Sequence, residues 1–189
     1  MTTRNTVRVL TTLEFTLVGL AAQEPRSGYD FKTLFESTAL RQFSSSPGSI
    51  YPALKRLESA GLLRSEMSES TGDRSRRVYS ATEAGRTTLG GWLESDVTVD
   101  ELRRDLRLPV LRFSLFGSIG LSRDGAIRFL EQLEEAAEEY RAEIDRTAES
   151  LADLNDPFPK LALEHGRATL EVHRDWSRRS ADTLRKEAS

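Results

Sequence analysis

The sequence contains no cysteine, which excludes disulfide bonds, thiolate metal sites and cysteine nucleophiles. It also lacks a long apolar run. The most apolar early stretch, residues 13–22, is interrupted by Glu14 and Thr16. That stretch is too short to span a membrane, and no signal-cleavage pattern follows it. We therefore expect a cytoplasmic chain that does not associate with a membrane.

Histidine is scarce, and its placement argues against a metal site. The two histidines, His165 and His173, stand eight residues apart on one predicted helix. That spacing exceeds two turns, so they cannot chelate one ion as an i, i+4 pair can. The sequence also has no glycine-rich phosphate loop and no grouped nucleophile and base. It predicts no enzymatic activity, no metal and no cofactor.

Charge is distributed unevenly along the 189 residues, whose net charge is −3. Residues 1–95 carry 12 Lys and Arg against 10 Asp and Glu, whereas residues 96–189 carry 15 against 20. The net value therefore hides a slightly basic first half and an acidic second half. A surface that binds a polyanion is expected in the first half.

Residues 1–95 carry start signals for three helices, followed by a hairpin and a fourth helix. The three starts are the capping-box pairs Thr11 with Glu14 and Ser27 with Asp30, and the Ser46-Pro47 step. Pro52 predicts a distorted first turn in the third helix. Residues 62–68 and 75–80 resemble two short strands around a polar loop, and Thr82 caps the fourth helix. This order is typical of a winged helix-turn-helix domain with a two-stranded wing.

The third helix and the hairpin carry side chains suited to DNA. Four residues off the apolar stripe of the helix can donate to base edges or phosphates: Ser49, Tyr51, Lys55 and Arg56. Three arginines cluster where a wing would meet phosphates: Arg74, Arg76 and Arg77. A helix with two basic residues is also typical of an ordinary solvated face. The order of elements and the basic wing favour DNA binding.

Three motifs between residues 10 and 95 resemble the PadR family of transcriptional regulators. Gly48–Glu58, with the following Gly61-Leu62-Leu63, is similar to that family's recognition helix. Ser27–Asp30 is similar to the start of its second helix. Arg77–Arg86 is similar to its passage from the wing to the next helix. One departure is Ala81, where the family often has leucine before the threonine-glutamate pair.

The resemblance implies a sequence-specific DNA-binding transcriptional regulator, a repressor released by a small-molecule effector. It assigns DNA contacts to the seven helix and wing residues named above. Tyr79 either reaches the DNA or packs under the wing as a core residue. The acidic second half is similar to the longer C-terminal domains in one branch of the family.

Residues 96–189 are predicted to be helical, with breaks at Pro109 and at residues 155–159. After Ser122, apolar residues from Ala126 to Leu154 alternate steps of four and three, which makes a heptad seam. A lone helix cannot hide such a seam, so we expect a homodimer and an inverted-repeat operator in double-stranded DNA.

The expected fold class is therefore mainly α. Residues 1–95 form the winged helix-turn-helix domain, and residues 96–189 form an all-helical domain for dimerisation and effector binding. His173 and Trp176, one helical turn apart, are the candidate contacts of a small apolar or aromatic effector, although Trp176 also suits a buried interface. The alternative is a winged-helix protein-interaction module that does not bind DNA. The acidic second half supports it, and the three-arginine wing argues against it.

Overall fold

The computed structural model describes residues 9–43, 47–68, 76–153 and 155–187. The chain divides into two compact units. The first comprises the residues up to Trp92 together with Gly117–Ile119, and the second comprises Leu93–Phe116 and the residues from Gly120 onward.

Up to Leu93, the described part of the chain alternates helices with short strands. The elements are α1 Thr12–Gln23, β1 Arg26–Ser27, α2 Gly28–Ser37, α3 Ile50–Ser59, β2 Leu63–Ser68, β3 Arg76–Ala81 and α4 Glu83–Leu93. Short 3-10 turns lie at Ala39–Phe43 and Pro47–Ser49. The predicted winged helix-turn-helix order is confirmed.

Both predicted capping boxes are present. At α1, the backbone N–H of Glu14 donates to Thr11 Oγ1 at 3.2 Å, and the N–H of Thr11 donates to Glu14 Oε2 at 3.0 Å. At α2, the N–H of Asp30 donates to Ser27 Oγ at 3.2 Å, and the N–H of Ser27 donates to Asp30 Oδ2 at 2.9 Å. Each box satisfies amide groups that a helix start otherwise leaves unpaired.

Helix α3 begins later than Pro47, its predicted first residue. The 3-10 turn Pro47–Ser49 comes first, and Ser49 occupies the cap position of the α-helix. Pro52 is then the third residue of the helix, where an N–H would have no intrahelical acceptor. The distorted start therefore costs no hydrogen bond. Ser46, the predicted N-cap, lies outside the described residues.

Helix α3 ends in a Schellman motif around a glycine. Gly61 has φ 71°, and its N–H donates to the carbonyl of Glu58 at 2.9 Å. The N–H of Leu62 donates to the carbonyl of Leu57, also at 2.9 Å. The left-handed conformation needs glycine, so Gly61 fixes the direction in which the chain enters β2.

The three strands form one antiparallel sheet in the order β1-β3-β2. Strand β2 pairs with β3 along its whole length, which confirms the predicted hairpin. The additional strand β1 was missed: it places Arg26 opposite Tyr79 and Ser27 opposite Val78. Two residues are too few to show the alternation by which a strand is recognised in a sequence.

The start of α4 packs closely on the turn that follows α3. Thr82 Oγ1 accepts a hydrogen bond from the N–H of Gly85 at 3.0 Å, which confirms Thr82 as the cap. Thr82 Oγ1 also donates to the carbonyl of Gly61 at 2.7 Å. A Cβ at Gly85 would overlap the carbonyl oxygen of Leu62. Position 85 therefore has no room for a side chain.

After Leu93 the described chain is helical. Its helices are α5 Val99–Arg104, α6 Leu108–Ser114, α7 Arg123–Ser150 and α8 Pro157–Lys186. The interruption predicted at Pro109 lies directly before it, between Arg104 and Leu108, and Pro109 itself lies in the first turn of α6, where its missing N–H costs nothing. The break predicted at residues 155–159 lies earlier, at residues 151–156, because α7 ends at Ser150, Asp156 caps α8 and Pro157 begins it. None of the described helices is long and apolar enough to cross a membrane.

The predicted heptad seam lies on α7 and is covered in part by α8 of the same chain. The buried residues of α7 end at Ala137, and beyond it Ile144 is half-buried and Thr147 is exposed. Leu170 and Ala181 of α8 are buried as well, and the two helices pack along each other. Leu154, the predicted end of the seam, lies outside the described residues. The seam therefore does not by itself require a second copy.

A buried arginine, Arg112, connects several segments of the second unit. Arg112 is 1% exposed and donates to Glu101 Oε2 at 2.6 Å. It also donates to the carbonyl of Leu93 at 3.1 Å and to both oxygens of Ser95. Its guanidinium carbon lies 4.9 Å from the centroid of the Phe129 ring. These contacts offset the desolvation of the buried charge.

Candidate nucleic-acid interface

Helix α3 separates an apolar side from a polar one. Ile50, Ala53, Leu54 and Leu57 are buried at the spacing of one helix face. Tyr51, Lys55 and Arg56 are exposed on the other side, and Ser49 at the cap is half-buried. The four residues predicted to lie off the apolar stripe are therefore outside the buried face of α3.

The polar side of α3 meets the start of α2 and the wing in one groove of about 620 Å³. We call it the tyrosine groove. Its lining residues are Ser27, Gly28, Tyr29, Tyr51, Arg76, Arg77 and Tyr79. The groove thus brings together residues from all three sequence motifs.

Tyr51 lies against the backbone of α2. A Cβ at Gly28 would lie 2.5 Å from Cε1 of Tyr51, so the glycine makes room for the ring. Tyr51 is nevertheless 51% exposed, and neighbouring Tyr29 is 64% exposed. Two large aromatic side chains with hydroxyl groups are thus held at the surface, where such residues are typical of binding sites.

The start of α2 contributes a positive end to the groove. The capping box uses the N–H groups of Ser27 and Asp30, and the N–H groups of Gly28 and Tyr29 have no intrahelical acceptor. The backbone hydrogen bond from Ser27 lowers the pKa of Asp30, with a smaller contribution from the positive charge of Arg76. A helix start beside an arginine attracts anions such as phosphate.

The wing arginines differ in their contacts. Arg77 Nη2 lies 3.4 Å from Glu58 Oε1, and Glu58 also accepts a hydrogen bond from Ser65 Oγ. Arg76 is exposed and makes no ion pair within the described part of the chain. Arg74, the third predicted wing contact, lies outside the described residues.

Two further predicted residues have contacts inside the first unit. Arg56 Nε donates to Glu14 Oε1 at 2.9 Å, and that carboxylate is fully buried. Tyr79 is 8% exposed, so the core interpretation of this residue is confirmed, and it forms part of the wall of the groove.

The candidate effector residues lie in the second unit. Trp176 is half-buried, and its ring meets Phe113 edge-on at a centroid distance of 5.3 Å. His173, also half-buried, has its pKa lowered by desolvation. Their role in effector binding stays a prediction. In the described part of the chain, no three His, Asp or Glu residues are grouped to hold a metal ion.

Sequence reasoning missed Tyr29, Gly28 and Glu58. The first two belong to the Ser27–Asp30 motif, which was used only as a helix start. An aromatic residue two positions after a helix cap was the signal that could have identified Tyr29. Glu58 carried no such signal, because its contact with Arg77 depends on the return of the wing to α3.

Comparison with known proteins gives consistent matches. Residues 17–91 match the transcriptional regulator PadR-like family. A transcriptional regulator of Mycobacterium tuberculosis is 49% identical over 61 residues, covering 32% of this chain and 53% of that protein. The negative transcriptional regulator PadR of Bacillus subtilis is 24% identical over 149 residues, covering 79% of this chain and 74% of that protein. The crystal structure of Bacillus subtilis PadR in complex with operator DNA matches with a TM-score of 0.42 at 22% identity, covering 91% of this chain and 98% of that one.

Proposed function

We propose that the chain is a sequence-specific DNA-binding repressor of the cytoplasm, because residues 17–91 match the PadR-like family of transcriptional regulators. Residues 1–95 are its DNA-binding domain, and residues 96–189 serve dimerisation and effector binding. We assign the chain no catalytic activity and no cofactor. The observation that carries the proposal is the tyrosine groove, because it unites the polar side of α3, the start of α2 and the wing.

The proposed contacts follow from the chemistry of each element. Helix α3 enters the major groove, where Ser49, Tyr51 and Lys55 reach base edges or flanking phosphates. The start of α2 and the wing arginines Arg74, Arg76 and Arg77 lie against phosphates, which hold the domain in register without reading sequence. Arg56 also lies on the polar side of α3, but its Nε donates a hydrogen bond to Glu14 Oε1.

Binding of the full chain to random duplex DNA at low salt tests the DNA-binding proposal. Retention on a filter is expected, since phosphate contacts alone support binding there. Arg76→Gln is expected to weaken it, whereas the matched control Arg128→Gln, an exposed arginine of α7, leaves it unchanged. If the wild-type chain is not retained, the protein-interaction module is the better interpretation.

We propose that the chain acts as a homodimer, which would double the DNA contacts across an inverted repeat. Support comes from exposed apolar residues on α8: Phe158 is 76% exposed, Leu161 60% and Val172 66%. Leu161 and Val172 stand three turns apart on the same side of the helix. Sedimentation of the full chain is expected to give a dimer, and Leu161→Glu is expected to shift it to monomer. Glu164→Gln is the control, and a monomeric wild type would contradict the proposal.

We propose that a small apolar or aromatic effector binds near His173 and Trp176 and releases the DNA. Release requires that the effector favour a state with lower DNA affinity. In a Trp92→Phe variant only Trp176 reports by fluorescence, and Phe can keep the stacking on Phe15, where the rings lie 4.3 Å apart. An effector is expected to change this emission and to lower operator affinity together, and His173→Gln should weaken both effects. Failure of every aromatic compound to do both would remove the effector from the proposal.

A further inference from the structure

The two cations on the polar side of α3 have different surroundings. Lys55 is exposed and makes no ion pair within the described residues. Arg56 donates from Nε to Glu14 Oε1 at 2.9 Å, across a separation of 42 residues in the chain. This contact joins the middle of α3 to the first turn of α1.

Glu14 is 0% exposed, so its charge is removed from water. Its other oxygen, Oε2, accepts hydrogen bonds from the N–H of Thr11 at 3.0 Å and from Thr11 Oγ1 at 3.1 Å. Both oxygens of the carboxylate are therefore hydrogen-bonded. A buried carboxylate is stable only where hydrogen bonds and opposite charge compensate its desolvation, and Arg56 supplies that charge.

The geometry restricts what Arg56 can do in a DNA complex. Because Nε donates to Glu14, the plane of the guanidinium is fixed by that contact. A rotation that carried Nε away from Glu14 would remove positive charge from a buried carboxylate. The side chain is 44% exposed, so Arg56 is held by Glu14 at the surface of α3.

We infer that Arg56 is a positioning residue, which fixes α3 against α1 through Glu14. The inference rests on the proposed function, in which the polar side of α3 faces DNA. The angle at which α3 enters the groove then depends on an ion pair between α3 and α1, one partner of which is fully buried.

A double-mutant cycle on the full chain tests this, with a duplex that the wild type selects from random DNA. The variants are Glu14→Gln, Arg56→Gln and the two combined, with Lys55→Gln as the matched control. Each single variant is expected to weaken binding by about three- to tenfold, since each removes one charge of the same ion pair. The combined variant, which restores a neutral pair of amides, is expected to recover most of the loss.

The salt dependence of binding separates positioning from contact. Lys55→Gln is expected to flatten the slope by roughly one unit, as the loss of one phosphate contact does, whereas Arg56→Gln leaves the slope unchanged. Arg56→Gln that flattens the slope like Lys55→Gln, with Glu14→Gln at wild-type affinity, overturns the inference. Because Arg56→Gln removes a positive charge from a buried carboxylate, Glu14→Gln provides the test if that variant does not fold.

The unfolding free energies of the same four proteins keep this inference distinct from the proposed function. A wild-type chain that binds no duplex refutes DNA binding, but the coupling between positions 14 and 56 is still measurable by urea unfolding. Coupling is expected, because the residues form one hydrogen-bonded pair. Its absence overturns the positioning role whatever the DNA result.

Discussion

The arginines of α8 and the wing residue Arg76 differ in their partners. On α8, Arg174, Arg178 and Arg185 each lie near a glutamate of α7, at 3.4, 2.6 and 2.5 Å. In the first unit, exposed Arg76 makes no ion pair among the described residues. An arginine that has an acidic partner on a neighbouring helix links the two helices. An exposed arginine such as Arg76, with no ion pair among the described residues, keeps a positive charge that can attract an external anion.

Arg77 stands between these two cases. It is 58% exposed and lies 3.4 Å from Glu58. Exposed pairs contribute only ~0–1 kcal/mol, so exchanging Glu58 for a phosphate costs little. Arg56 differs because its partner, Glu14, is fully buried. If Arg56 exchanged Glu14 for a phosphate, this buried carboxylate would lose the positive charge beside it.

The largest expected effect comes from the most deeply buried arginine. Arg112→Ala should lower the unfolding free energy by ~3–5 kcal/mol, because it leaves Glu101 without its partner in a largely buried site. Urea unfolding of the full chain measures this loss. Arg104→Ala, an exposed arginine of α5, is the control and should change it by less than about 0.5 kcal/mol. Equal losses in the two variants would contradict a structural role of the buried pair.

In contrast to Arg112, the outward residues of α3 should contribute to DNA affinity and not to the unfolding free energy. Tyr51→Ala and Lys55→Ala are each expected to cost ~1–3 kcal/mol in operator binding. Thr87→Ala, on the exposed side of α4, is the control. Unfolding measurements verify that all three variants fold. Wild-type affinity in both test variants would refute the assignment of α3.

Neutralising the three wing residues Arg74, Arg76 and Arg77 together should weaken binding to all duplexes alike, because phosphate contacts carry no sequence information. The salt slope should flatten by roughly one unit for each lost contact. Titrations at several salt concentrations, with selected and random duplexes, measure both effects. An unchanged slope would exclude the wing from the interface.

A smaller change tests the position of Tyr51 without removing it. Gly28→Ala places a methyl group against the Tyr51 ring, and we expect a loss of ~1 kcal/mol in operator binding. Gly91→Ala is a matched control, because no atom lies within 4 Å of the added methyl there. In a Tyr51→Ala background the Gly28→Ala effect should disappear. If it persists, the methyl acts through another contact.

The smallest effect is expected in the interhelical arginines. Arg178→Gln should lower the unfolding free energy by ~0–1 kcal/mol, since its side chain is 59% exposed, and should leave DNA binding unchanged. A cycle with Glu134→Gln isolates the pair. Weaker DNA binding with unchanged stability would contradict this, because it would show that an ion-paired arginine of α8 contributes to DNA binding.

Local signals in the sequence predicted much of the fold. The capping boxes at Thr11 and Ser27 depend on residues three apart, so spacing alone identifies them. Gly61 likewise marks the end of α3 by its backbone freedom. Strand β1 was not predictable in this way, because it consists of two residues that become a strand only by pairing with β3.

The candidate site was predicted as a set of residues but not as a set of contacts. The spacing along α3 shows that Lys55 and Arg56 both lie off the apolar stripe. It cannot show that buried Glu14 engages one of them, because that contact is set by the packing of α1 on α3. The heptad seam did not show its partner for a similar reason: its periodicity shows an apolar face, and α8 of the same chain covers part of it.

The closeness of Gly85 to the carbonyl of Leu62 has a consequence for genetic screens of this chain. Every substitution at position 85 introduces a Cβ that overlaps backbone, so the whole set of variants should be depleted in a saturation screen for repression. Such a profile resembles that of a residue touching the operator, although Gly85 is buried. Scoring cellular abundance beside repression separates the two, since changes at position 85 lower both and changes at Lys55 lower repression alone.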